Sequence, residues 1–146
     1  MTTRRDFLRN TALASAGIAL SGIYTKTNAA SYSRIVGANR KVNLAHIGIG
    51  NRGWEIINDF DKTKLANVVA LCDVDLGAEH TQKALAKFPN AKRFKDFREM
   101  FDKIGNEFEA VAIATPDFAH FPSVMLAIKE GKHVYVEKPM GRTFNE

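Results

Sequence analysis

Three glycines within six residues, Gly48, Gly50 and Gly53, stand in a G-x-G-x-x-G spacing that also holds Asn51 and Arg52. They follow an apolar run, Val42–Ile49, and open a stretch with helical spacing, the context in which this motif builds a phosphate cradle. There the first glycine permits a tight turn, the second lets the backbone approach a pyrophosphate, and the third lets helix and strand pack closely. A helix start adds free N–H groups and the positive end of the helix dipole. Asp73 ends the next apolar run, 25 residues beyond Gly48. A carboxylate at that point accepts hydrogen bonds from both hydroxyls of an adenosine ribose and repels a 2′-phosphate. Gly48, Gly50, Asn51, Arg52, Gly53 and Asp73 therefore read as a site for NAD. NADP stays open because Arg52 puts a cation beside the phosphates. Asp75 rivals Asp73, with capping of the following helix as its expected role.

Two further polar stretches follow apolar runs: Thr115-Pro116-Asp117-Phe118-Ala119-His120 and Glu137-Lys138-Pro139. A parallel sheet places its ligands beyond the carboxyl ends of its strands. On spacing alone each stretch is equally a plain loop. Other chemistries find no pattern: no Cys/His/Asp spacing suggests a metal site, and there is no G-x-S-x-G of a serine hydrolase. His46 falls mid-strand as a satisfied core residue, His80 on a solvated helix face, and His133 at the start of a strand. The single cysteine, Cys72, sits in an apolar run as a small buried hydrophobe.

The elements that must position these residues alternate along the chain. Strands are expected at Val42–Ile49, Val68–Cys72, Lys92–Phe94, Ala110–Ala114 and His133–Val136. Between them, Trp54, Ile56, Ile57, Phe60 and Asp61 fall at helical spacing. Ala78–Phe88 reads as a helix stopped by Pro89. Asp96 and Glu99 form an acidic capping box before a helix that Gly105 ends. Pro122 suits the first turn of a helix that ends at Gly131. This order predicts a doubly wound parallel sheet of the Rossmann type, an α/β fold over residues 42–146.

With those motifs in order, residues 41–146 resemble the N-terminal half of the glucose–fructose oxidoreductase / inositol dehydrogenase (Gfo/Idh/MocA) family. The shared features are the glycine loop Gly48–Gly53, Cys72-Asp73-Val74-Asp75, Thr115-Pro116 with His120, and Glu137-Lys138-Pro139. The resemblance implies a Rossmann domain paired with a larger α/β domain, and an NAD(P)-dependent oxidoreductase acting on a hydroxyl of a sugar or cyclitol. It implies that Asp73 holds the ribose. Thr115, Pro116, Asp117 and His120 line the nicotinamide side, and Glu137 contacts the cofactor. Lys138 bonds the reacting hydroxyl and assists proton transfer. One branch uses the same apparatus to cleave glycosides, through transient oxidation at C3, elimination, hydration and re-reduction. Phe118 stands where many relatives have histidine. The partners of the lysine, an aspartate and a histidine, come from the second domain.

The leader is a separate matter. Thr3-Arg4-Arg5-Asp6-Phe7-Leu8-Arg9 precedes an Ala/Gly/Ser-rich apolar stretch from Thr11 to Ile23, too short to span a membrane. It reads as a twin-arginine export signal over residues 1–30, followed by a linker over 31–41. The expected partners are the twin-arginine machinery and an exported, periplasmic compartment. The net charge of +5 belongs to this leader, since residues 42–146 carry 14 basic and 15 acidic side chains. Nucleic acid is thus not an expected partner. The chain ends where relatives begin another helix. The expectation is a truncated half, incompetent in catalysis by itself and prone to associate, with a homo-oligomer as the full-length form and a non-catalytic NAD-binding fragment as the remaining alternative.

Overall fold

The computed structural model describes residues 40–146. The expected leader and nearly all of the linker lie outside the described residues. Five strands form one parallel sheet: β1 (Val42–Ile47), β2 (Ala66–Cys72), β3 (Lys92–Phe94), β4 (Ala110–Ile113) and β5 (His133–Val136). Their spatial order is β3-β2-β1-β4-β5, the doubly wound arrangement. Four α-helices alternate with them: α1 (Arg52–Lys62), α2 (Gln82–Lys87), α3 (Phe97–Ile104) and α4 (His120–Lys129).

Parallel strands covered on both faces need apolar residues on both sides, and the two cores follow from strand alternation. Ile57 of α1 and Ala84 and Leu85 of α2 pack with Leu71 and Ile49 on one face. Met100, Phe101 and Ile104 of α3 and Ala127 of α4 pack with Ala45, Ile47, Val111 and Ile113 on the other. The β1–β2 register slips between Leu44 and Ala45, which pair with Val68 and Ala70. Val69 is the extra residue of that bulge. Among the described residues, no helix is long and apolar enough to cross a membrane.

Several local expectations need correction. β1 stops at Ile47, because Gly48 turns at φ +81° and its N–H donates to the Cys72 carbonyl at 2.8 Å. β4 likewise ends one residue early, at Ile113. The segment expected as one helix over Ala78–Phe88 begins as a 3-10 turn, Glu79–Thr81, before α2. Asp96 does cap α3, accepting from the Arg98 N–H at 2.8 Å. Glu99 instead accepts from Lys103 at 2.6 Å, a helical i,i+4 pair, so no reciprocal box forms. Gly105 ends α3 without a left-handed turn, at φ −54°, and the chain continues into a 3-10 turn.

Candidate cofactor site

The strand order reverses beside β1. β2 leaves it on one side and β4 on the other, so the loops after β1 and β4 diverge at their carboxyl ends. Both are anchored to the sheet: the Gly48 N–H donates to the Cys72 carbonyl at 2.8 Å, and the Ala114 N–H to that of Ile47 at 2.9 Å. A cleft of about 460 Å³ opens between them, the place where open α/β sheets take ligands.

The glycine loop forms one wall. A Cβ on Gly48 would stand 2.7 Å from the Ala114 carbonyl, and one on Gly53 would stand 1.9 Å from the Gly48 oxygen. The loop thus lies tight against β4 and against the start of α1, leaving no room for side chains. Asn51 enters α1 at φ +44° and caps it with no side-chain hydrogen bond. Asp73 closes the wall from β2. One carboxylate oxygen accepts from the Ile49 N–H at 3.0 Å, and the other from the Asp75 N–H at 3.1 Å. Asp75 is itself occupied, accepting from the Gly77 N–H at 3.1 Å, and so forms a turn rather than a helix cap.

Gly48, Gly50, Asn51, Arg52, Asp73, Thr115 and Pro116 all line this cleft. The Thr115 hydroxyl oxygen is buried there with no hydrogen-bond partner. Buried polar atoms are normally paired, and an orphan beside a cavity fits a polar ligand. The Gly48–Gly53 cradle and this hydroxyl both suit a dinucleotide.

Gly53 packs the start of α1 against the loop, as the third glycine of the motif is expected to. The remaining expected residues do not line the cleft. Asp117 is exposed and accepts from the Phe118 N–H at 2.8 Å. His120 does not face the cleft: it is 2% exposed, and both ring nitrogens meet main-chain carbonyls. Glu137 turns toward α1, where Tyr135 O–H donates to it at 3.0 Å and Arg52 Nη2 at 3.2 Å. The Tyr135 hydrogen bond, then Arg52, hold its carboxyl below the usual carboxylate range. Arg52 also donates to Glu55 at 2.7 Å. Lys138 is exposed, and the peptide to Pro139 is cis.

Sequence reasoning missed two side chains at the cleft. His80, expected on a solvated face, lies so close to Gly50 that a Cβ there would meet its Cδ2 at 2.0 Å. Lys95, just after β3, lines the far end. No local pattern signals either, since tertiary packing brings both there. His46 is buried as expected but is not fully satisfied: neither ring nitrogen makes a hydrogen bond of good geometry. Its neighbours in β2 and β4 are Leu71 and Ala112. Burial pushes its pKa down to about 4, with a small opposing contribution from the Gly48 backbone. Cys72 is 2% exposed, and burial, then Asp73, pushes its thiol up to about 12. An inert thiol follows.

Fold and cleft together define a Rossmann-type α/β domain with its crevice at the topological switch point. The chain belongs to the oxidoreductase family with an NAD-binding Rossmann fold, Gfo/Idh/MocA, whose model matches residues 42–146. It is 30% identical to a glycosyl hydrolase family 109 protein of Shewanella amazonensis, over 98% of this chain and 34% of that protein. It is 27% identical to an α-N-acetylgalactosaminidase of Shewanella oneidensis, over 98% of this chain and 35% of that one. Among solved structures it resembles the WlbA dehydrogenase of Bordetella pertussis in complex with NADH and UDP-GlcNAcA. The TM-score is 0.59 and the identity 27%, covering 70% of this chain and 30% of the other. The chain thus spans about a third of the length of the curated relatives it matches.

Proposed function

We propose that this chain is the NAD-binding part of an exported enzyme that oxidises a hydroxyl of a sugar or cyclitol. The observation that carries the reading is the cleft at the β1–β4 switch point, closed by the glycine loop and holding the orphaned Thr115 hydroxyl. Gly48–Gly53, with the uncapped start of α1, receives the pyrophosphate. Asp73, its two oxygens already facing the loop N–H groups, takes the ribose hydroxyls and favours NAD over NADP. Thr115 and Pro116 meet the nicotinamide half. Bound there, NAD supplies the redox chemistry, as acceptor of the hydride from the carbon that bears the hydroxyl. Lys138 handles the proton of that hydroxyl, in concert with acid/base groups from the rest of the full-length protein. Residues 1–30 direct the folded protein through the twin-arginine route. The full-length form is a homo-oligomer.

A second reading, glycoside cleavage through the same oxidation, is favoured by the names of both Shewanella relatives. One assay separates the two. The full-length protein is mixed with p-nitrophenyl α-N-acetylgalactosaminide and, separately, with free sugars and inositols. Release of p-nitrophenol without net NADH supports cleavage; NADH in proportion to free sugar or cyclitol supports the dehydrogenase. Turnover unchanged in Lys138→Met would remove Lys138 from the chemistry under either reading.

A further inference from the structure

His120 is the first residue of α4, yet its ring bonds to main chain outside the helix. Its Nε2 lies 2.8 Å from the Thr115 carbonyl and its Nδ1 2.6 Å from the Pro139 carbonyl. One carbonyl belongs to the loop after β4, the other to the loop after β5. Among the described residues, no other side chain hydrogen-bonds to both loops. The ring is 2% exposed, and because both partners are carbonyl acceptors it bonds the two loops at once when both of its nitrogens carry protons. An aliphatic residue would fill the same space without joining anything.

We propose that His120 is a positioning residue for Lys138. It clasps the segment that carries Lys138 to the segment that carries Thr115, and so fixes the lysine's backbone relative to the cleft. This rests on the reading of Lys138 as the proton-handling group. Lysine has a long, flexible stem, so the reach of its amine into the cleft depends on where its own backbone is held. Glu137 is anchored from the other side by Arg52 and Tyr135, which leaves Pro139 as the free end that His120 secures. Misplacement by about 1 Å is enough to cost about 100-fold in a positioned reaction.

The test compares the full-length wild type with His120→Leu, which removes both bonds, and His120→Gln, which retains an amide donor. Two readouts need no turnover. Without NAD, amide hydrogen exchange in His120→Leu rises at residues 114–119 and 137–141 while residues 42–47 stay protected. With NAD at ten times each variant's own Kd, acetylation of the Lys138 amine by acetic anhydride is followed by peptide mass spectrometry. In the wild type NAD slows it about tenfold, as mass action requires of a shielded group. In His120→Leu the slowing drops below about threefold by the same relation, and His120→Gln falls between. Equal protection in wild type and His120→Leu overturns the positioning role, as does a uniform rise in exchange across the whole sheet. Absence of protection in the wild type instead sinks the placement of Lys138 at the cofactor, and the clasp loses its purpose with it.

Discussion

Arg52 and Glu137 are 85 residues apart and meet at 3.2 Å, joining the first turn of α1 to the segment after β5. Glu55 holds the other guanidinium nitrogen at 2.7 Å. The arginine at the glycine loop is therefore engaged by two carboxylates, and the case for it as a 2′-phosphate ligand weakens. Replacing Arg52 with Gln is expected to leave the ratio of NAD to NADP affinity unchanged within about threefold, since exposed ion pairs contribute little. Titration of both nucleotides into the full-length protein measures it. A selective loss of NADP affinity would return Arg52 to the phosphate.

Asp73 carries the cofactor preference in this account. Asp73→Asn keeps an oxygen for the Ile49 N–H, bonded at 3.0 Å in the structure, and removes the charge. The expected result is a shift of the NAD/NADP affinity ratio toward NADP by about tenfold, the worth of a charge-assisted hydrogen bond. Equal effects on the two nucleotides would count against the ribose assignment.

These site residues differed in how far the sequence exposed them. The glycine loop and Asp73 were legible because their roles are local: a tight turn, a close approach, a carboxylate at a strand end. β3 and β5 matched their expected bounds because their short runs are flanked by helix caps and turns. His120 was legible as a motif residue but not in its orientation, which depends on two carbonyls brought together by the β4–β5 pairing. Tyr135 and His80 carried no signal, since an edge strand and a 3-10 turn place them by tertiary contact alone. The Asp96–Glu99 pattern misled because Lys103, one helical turn on, competes for Glu99.

His46 makes the fold acid-sensitive. Its pKa is lowered from 6.5 to about 4 in the folded chain, so below pH 6.5 the unfolded state binds the proton first. Stability present above pH 6.5 is lost as pH falls toward 4, by about 3 kcal/mol at one pKa unit per 1.36 kcal/mol. Below pH 4 this contribution is flat. His46→Leu should remove that part of the slope, because it removes the titrating ring. Denaturant melts of both proteins between pH 4 and 7 check it, and identical slopes would assign the acid sensitivity elsewhere.

Thr115 offers the most direct test of whether the β1–β4 cleft is the cofactor site. Its hydroxyl is buried without a partner in the free domain, so Thr115→Val costs no internal hydrogen bond. Calorimetric titration of NAD into the NAD-stripped full-length protein, wild type against Thr115→Val, should show binding in both. The Kd of the variant should rise about three- to tenfold, the worth of one hydrogen bond, while its melting temperature holds or increases. An unchanged NAD affinity with a lowered melting temperature, or no NAD binding by the wild type, would contradict the account.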